Sequence, residues 1–274
     1  MSSILSPTTG FIREAGFTHS LTPARNCTYG CSYCYVPTMG IYGGLKPEDW
    51  KRWGQFTTFK AKAAPLLRKQ LRPTQTIYCS PLVDPYQPAE VVDPHMPALL
   101  AALAEAPPLV FAIQTRSPLI LRDLVILREV ALRTTLRISF SITTNRDDVR
   151  RRYEPHCEPN DQRLAAVREL RAAGIEVYAT LAPLLPCDPE RLVNDALEAT
   201  GRRLIGDPLH VRGVKPRGAT TRHAAFQIAD RYGETEWFDP AFQESVVHTM
   251  KRVARAANLD FATGPEGFRW LAQP

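Results

Sequence analysis

The 274-residue chain has no long apolar run. Its apolar runs are short or interrupted, as SPLILRDLVIL is by Arg122 and Asp123, so no segment reads as membrane-spanning. The N-terminus, MSSILSPTTGFIREAG, lacks a basic stretch followed by an apolar one. It does not read as a signal peptide, and a cytoplasmic protein is expected. Cysteine is sparse: six residues cannot make a disulfide scaffold of a chain this long. Internal repeats and low-complexity tracts are absent. Neither sign of charge dominates, with 34 Lys and Arg against 28 Asp and Glu, a net +6. That spread balance permits contact with nucleic acid or anionic small molecules without demanding it. What is there is an ordinary globular composition, 44% hydrophobic and 23% charged, long enough for one large domain or two small ones.

Strand-like and helix-like segments alternate from about residue 75. TIYCS (76–80), LVFAIQT (109–115), LRISFSITT (136–144) and IEVYATLAP (175–183) are short and rich in β-branched and aromatic residues, and LVFAIQT is apolar throughout, as in a strand buried on both faces. RLIGDPLHV (203–211) is a sixth, weaker strand, and GFTHSLT (16–22) is the first. The helices between them are punctuated. Ser117 and Pro118 open one that runs to about Arg133, Asn160 or Asp161 opens another, and Asp188 with Pro189 opens a third closed by Gly201. This order predicts an α/β fold with a parallel sheet, open or closed into a barrel. After residue 212 the chain turns basic and loop-like, then helical, and its tail LDFATGPEGFRW (259–270) is expected as a strand or an ordered cap. Residues 1–212 are expected to form the core. Residues 213–274 are expected to be a helical extension that caps it within the same unit, since no flexible linker separates them.

Parallel sheets carry their chemistry at the C-terminal strand ends. After the first strand comes NCTYGCSYCYVPTMG (26–40), with Cys27, Cys31 and Cys34 spaced C-x3-C-x2-C. Thiolates suit zinc, copper(I) or iron–sulfur clusters. Structural zinc usually takes four protein ligands in two pairs, and no histidine nearby completes such a set. The spacing suits a [4Fe–4S] cluster with three thiolates and one open iron. Other strand ends offer Cys79, Arg116, Ser139 and Ser141. The two serines lie on alternate residues and so face one side of their strand.

C-x3-C-x2-C after a first strand, with Tyr33 just before the third cysteine, resembles the radical S-adenosylmethionine (SAM) superfamily. With Tyr35 after that cysteine, VDPYQPAE (83–90), TRSPLILRDLVIL (115–127), RISFSITT (137–144) and RYEPHCEPNDQRLAAVRELRAAGI (152–175) in order, the chain is similar to its spore photoproduct lyase-like branch. The resemblance covers roughly residues 17–190. It implies a partial (β/α)6 barrel of TIM type and an enzyme whose cluster cleaves SAM to a radical that abstracts hydrogen from a substrate. The cofactors implied are the [4Fe–4S] cluster, held by Cys27, Cys31 and Cys34, and SAM.

The resemblance also implies residue roles. Tyr33 lies near the adenine, and Tyr35 passes a hydrogen atom or packs. Asp84 or Glu90 receives the methionine amino group or braces a proline-rich turn. Arg116 holds the SAM carboxylate, and Ser139 and Ser141 hydrogen-bond SAM. Cys79 returns a hydrogen atom to a product radical or is a small buried residue. Cys157 and Cys187 are expected to be structural. The basic stretch with Arg212, Lys215, Arg217, Arg222 and His223 welcomes a phosphate or is a solvated loop. A reductant such as flavodoxin or ferredoxin is the implied partner. The substrate stays open between a thymine lesion in DNA, a small metabolite and a peptide. The competing class is a zinc or iron–sulfur module for sensing or partner binding.

Overall fold

The computed structural model describes residues 3–39, 51–211 and 221–274. The strands are β1 (Leu5–Pro7), β2 (His19–Leu21), β3 (Ala24–Arg25), β4 (Thr58–Phe59), β5 (Thr76–Cys79), β6 (Val110–Thr115), β7 (Thr135–Ser141), β8 (Glu176–Leu184), β9 (Leu204–Pro208) and β10 (Phe261–Thr263). Eight of them form one sheet in the order β1-β2-β5-β6-β7-β8-β9-β10. From β2 onward every pairing is parallel, and only β1 runs antiparallel, on the edge beside β2. The six expected strands are β2 and β5 to β9. The structure adds a seventh parallel strand, β10, from the C-terminal extension. β3 and β4 make a separate ribbon beside the cysteine loop.

Among the described residues the helices are α1 (Gly10–Glu14), α2 (Ala63–Gln70), α3 (Ala89–Val92), α4 (Met96–Glu105), α5 (Leu124–Ala131), α6 (Asp147–Tyr153), α7 (Asn160–Ala172), α8 (Pro189–Thr200), α9 (His223–Tyr232), α10 (Pro240–Ala256) and α11 (Gly264–Ala272). Local chemistry sets their ends. Asp188 accepts a hydrogen bond from Arg191 N at 3.1 Å, with Pro189 at the first helical position, and Gly201 ends α8 at φ +62°. Asp239 caps α10 in the same way, through Phe242 N at 2.9 Å. Ser117 accepts from Leu119 N at 3.3 Å, but the turn it opens, Pro118–Asp123, is a 3-10 helix, and the α-helix starts only at Leu124.

Strand alternation divides the core in two. Ile77, Cys79, Phe111, Ile113, Ile138, Phe140, Val177 and Ala179 face outward and pack under α2, α4, α5, α7 and α8. Tyr78, Ala112, Tyr178 and Ile205 face inward. Their partners are Phe17 from the loop before β2 and Phe268, Leu271 and Ala272 of α11. The last helix therefore lies inside the open barrel and fills the N-terminal half of its interior. Within the C-terminal extension β10 extends the sheet, α10 packs outside against α8, α11 plugs the interior from below, and α9 packs at the cysteine loop, with Ala225 in one buried cluster with Cys27, Cys31 and Tyr33. Arg137 on the inner face donates to the carbonyl of Gln273, which ties the plug to the middle of the sheet.

Candidate active site

With the lower interior filled, the upper interior is polar. On the inner face above Tyr78 and Ala112 stand Gln114, Ser139, Ser141, Thr143 and Thr180. Ser139 and Thr180 hydroxyls lie 2.6 Å apart, and Gln114 Nε2 donates to Ser141 Oγ at 3.4 Å. Tyr78 donates to Gln114 from below. Ser139 and Ser141 thus share one face, as their spacing predicts. Ser80, the next inward position after Tyr78, has a buried hydroxyl without a partner.

The cysteine loop sits over this polar end. Cys27 and Cys31 are buried and Cys34 is partly exposed, all three are free thiols, and all belong to one packed cluster with Tyr29 and Tyr33. Neighbouring segments clamp the loop. Thr28 N donates to Gln87 Oε1 at 2.8 Å, and Asn26 Oδ1 accepts from Cys27 N at 2.8 Å and from Gly54 N at 3.3 Å. Gly30, at φ +61°, lets the chain turn between Cys27 and Cys31, and Gly54 packs directly on it. Burial pushes the Cys27 thiol up, and pushes Cys34 up to about 12. Cys31 is held below the usual thiol range by a hydrogen bond from Cys157, with help from Arg116.

Beside the loop is a buried charge network that the sequence reading did not single out. Glu154 has no exposed side-chain surface and accepts from Arg116 at 2.5 Å, Arg163 at 2.6 Å and Thr143 at 2.9 Å, and also from the Tyr33 hydroxyl. Burial opposes its charge, but Arg163 and Arg116 outweigh burial and hold its pKa at about 2. Glu154 lies within RYEPHCEPN, a block quoted for its resemblance, and its glutamate could have been weighed there as a partner for Arg116. Asp84 braces Arg116 from the other side, accepting from Arg116 N at 2.8 Å, Thr115 Oγ1 at 2.7 Å and Tyr86 N at 2.9 Å. Burial raises the Asp84 pKa against the pull of Arg116.

The structure brings Cys27, Cys31, Cys34, Tyr33, Tyr35, Asp84, Arg116, Ser139 and Ser141 to one end of the barrel. The Tyr33 hydroxyl is occupied by Glu154 and Arg116, and the Tyr35 hydroxyl donates to Pro81 O at 2.6 Å. Two expected residues are elsewhere. Cys79 faces outward into the helix-packed core, because its neighbour Tyr78 faces inward. This strand parity places Cys79 as a small buried residue of the outer core, the second of its two expected readings. Glu90 accepts from His95 N at 2.8 Å and Met96 N at 2.6 Å at the start of α4, and pairs with Arg122 at 3.1 Å. It serves there as a helix cap and ion-pair partner, nearer the bracing reading than the SAM amino-group reading. Arg212, Lys215 and Arg217 lie outside the described residues.

The sequence pattern of the Radical SAM superfamily matches residues 21–198, and the chain belongs to that superfamily. An uncharacterized protein of Mycobacterium tuberculosis is 29% identical over 210 residues, 72% of this chain and 60% of the relative. An uncharacterized protein of Methanocaldococcus jannaschii is 26% identical over 161 residues, 58% of each chain. The chain thus spans about 60% of the length of the first of these curated relatives. Among solved structures, a spore photoproduct lyase variant with dinucleoside spore photoproduct superposes with a TM-score of 0.60 at 15% identity, over 90% of this chain and 76% of that one. A variant with bound AdoMet and the same dinucleoside gives 0.59 at 14% identity, over 96% and 86%. The partial-barrel fold is shared with spore photoproduct lyase.

The family implies a [4Fe–4S] cluster and SAM, and the donor chemistry fits both. Three free thiols on one buried loop suit a cluster that needs three thiolates. The unpartnered Ser80 hydroxyl and the polar inner face suit a ligand with amino, carboxylate and ribose groups. Among the described residues no three side chains already converge as a closed metal site.

Proposed function

We propose that this chain is a radical SAM enzyme whose active site is the polar upper interior of the barrel, closed by the cysteine loop. In this family a reduced [4Fe–4S] cluster cleaves SAM to a 5′-deoxyadenosyl radical that takes a hydrogen atom from a substrate. The observation that carries the reading is the placement of Cys27, Cys31 and Cys34 on one loop at the C-terminal end of the first parallel strand. This chain's own residues supply the rest. The three thiols would hold the cluster, and Gln87 and Asn26 tie down their loop. The Glu154–Arg116–Asp84 network fixes a guanidinium at the rim, where it can meet a carboxylate. The inner-face hydroxyls orient a polar ligand, and α11 excludes water from below.

The reading calls for a one-electron donor of flavodoxin or ferredoxin type. A thymine photoproduct in DNA is the first substrate to assay, because the fold neighbours bind a dinucleoside photoproduct. The outward position of Cys79 argues that any hydrogen returned to product comes by another route.

Anaerobic reconstitution tests the proposal. About four iron and four sulfide per chain, with 5′-deoxyadenosine formed from SAM on reduction, is the expected result. Zinc at one per chain without SAM cleavage would instead support a metal-binding interaction module. Deuterium transfer from a labelled substrate into 5′-deoxyadenosine then identifies the substrate. If that substrate is DNA, its affinity falls steeply with salt.

A further inference from the structure

The ribbon beside the cysteine loop carries charge of one sign. Arg25 lies on β3, Lys51 and Arg52 precede β4, and Lys60 and Lys62 follow it. No Asp or Glu stands between residues 51 and 62. Arg25, Lys51, Arg52 and Lys62 are exposed, and Lys60 is half-buried. Among the described residues none of the five is in an ion pair. Arg52 meets only the ring of Phe56, 4.7 Å from its centroid. Burial lowers the Lys60 pKa, and the like charge of Arg25 lowers it further.

The ribbon is fastened to the loop that carries the three thiols. Asn26, between Arg25 and Cys27, donates through Nδ2 to Arg52 O at 3.4 Å and accepts from Gly54 N at 3.3 Å. The Thr57 hydroxyl donates to Arg25 O at 3.1 Å, and Gly54 packs on Gly30. Away from the loop, Phe59 stacks on His95 with centroids 4.1 Å apart. His95 opens α4, a helix of the outer layer, so the ribbon stands outside the barrel wall. The other flank of the loop is tied to α6, where Ser32 N donates to Tyr153 O at 2.9 Å. A substrate has to enter the polar interior. An electron has only to reach the loop, and the ribbon runs directly into it.

Resting on the reading of this chain as a cluster-binding radical SAM enzyme, we propose that the basic ribbon is the docking surface for its electron donor, an acidic protein that carries a low-potential one-electron centre. Carboxylates on the donor would meet the unpaired Lys and Arg side chains, steer the encounter and set its orientation. Exposed charge pairs are weak and screened by salt, which suits a carrier that must leave once it has delivered its electron. The donor loses one electron, the cluster gains it, and no bond forms or breaks. Nucleic acid would meet the same charges. A seat outside the wall, however, serves a carrier that delivers only an electron better than a substrate whose reacting atom must enter the interior.

The test uses the full chain after anaerobic reconstitution, with iron and sulfide counted first. Binding of an acidic flavodoxin is measured by calorimetry at low salt. Formation of 5′-deoxyadenosine from SAM is then measured with flavodoxin hydroquinone or with dithionite as reductant. Lys51→Glu with Lys62→Glu reverses two exposed charges of the ribbon. Lys69→Glu with Arg128→Glu reverses two exposed charges elsewhere and matches the change in net charge. In the ribbon variant, flavodoxin affinity and the flavodoxin-driven rate are expected to fall about tenfold below the native and control proteins. Dithionite needs no seat and is expected to drive all three alike. Native affinity for flavodoxin is expected to fall as salt is raised. Equal flavodoxin affinity and rate in the ribbon variant and the native chain overturn the docking surface and leave the cluster reading standing. A ribbon variant that keeps both but loses affinity for a single-stranded oligonucleotide also overturns it, and makes the ribbon a nucleic-acid surface. A native chain that loads no iron overturns the cluster reading and the docking role with it. If the double reversal loads no iron, Lys51→Gln with Lys62→Gln takes its place. A few-fold fall is then expected, and an unchanged affinity again overturns the surface.

Discussion

Glu154 illustrates how much one side chain can organise. It is fully buried and gathers two guanidinium groups, a phenol and a threonine hydroxyl. Removing one member of such a network leaves the others charged and unmatched, which typically destabilises by about 3–5 kcal/mol. Glu154→Gln is expected to lose about that much at neutral pH, read by urea unfolding. Acid should abolish the difference. The carboxyl titrates near 4.5 when unfolded and near 2 when folded. Its contribution, on the order of 3 kcal/mol, is present in full above pH 4.5 and is lost as pH falls toward 2. A gap between native and variant proteins that persists unchanged at pH 2 would show that charge pairing is not its origin. Cys79 makes the opposite case. Facing the outer core, it contributes packing alone, so Cys79→Ala should be destabilised by about 1 kcal/mol while forming 5′-deoxyadenosine at the native rate. A lost or slowed SAM cleavage in that variant would reopen its role in the site.

At the scale of elements, the cysteine loop is shaped by a contact from a distant turn. A Cβ placed on Gly54 would stand 2.7 Å from Cα of Gly30, and Gly54 holds φ +90°. Gly54→Ala must push the turn off the loop. Cluster loading should fall several-fold while far-ultraviolet circular dichroism stays native. Gly174→Ala is the control, because Gly174 has φ +81° but open space around it. It should lose about 1–2 kcal/mol through left-handed backbone strain and load iron normally. Equal loading in the two variants would refute the contact's importance. This contact also marks where reading the sequence stops. The strands and their order were legible because buried parallel strands are short apolar runs between capped helices. The cysteine spacing was legible because its ligands are local. The Gly30–Gly54 contact, the Ser32–Tyr153 tie and the Arg163–Glu154 pair all join segments whose closeness follows only from the folded path. Strand parity hid Cys79 in the same way: a fully apolar strand offers no alternation to say which residue looks inward.

At the scale of the whole molecule, the barrel is incomplete without its last fourteen residues, 261–274. An open sheet of seven parallel strands leaves an inner face that must be covered. The polar upper half can be left for a ligand, but Tyr78, Ala112, Tyr178 and Ile205 below it cannot face water without a large loss of apolar burial. α11 covers them, and Phe268 is its anchor, with ring centroids 5.1 Å from Phe11 and 6.2 Å from Tyr78. Gly206 admits the neighbouring strand, since a Cβ there would run into the ring of Phe261. The C-terminal segment is therefore part of the folding unit rather than an appendage near the substrate. Phe268→Ala is expected to destabilise by about 3–5 kcal/mol in denaturant unfolding. A chain ending at Asp260 loses the strand and the plug together, and should be insoluble or lack a cooperative transition. If that shortened chain unfolds cooperatively with the native midpoint, the inner face is covered by something other than α11. The interior would then have to be assigned to ligand along its full depth, because a site closed from below and a channel open at both ends would bind SAM in different ways.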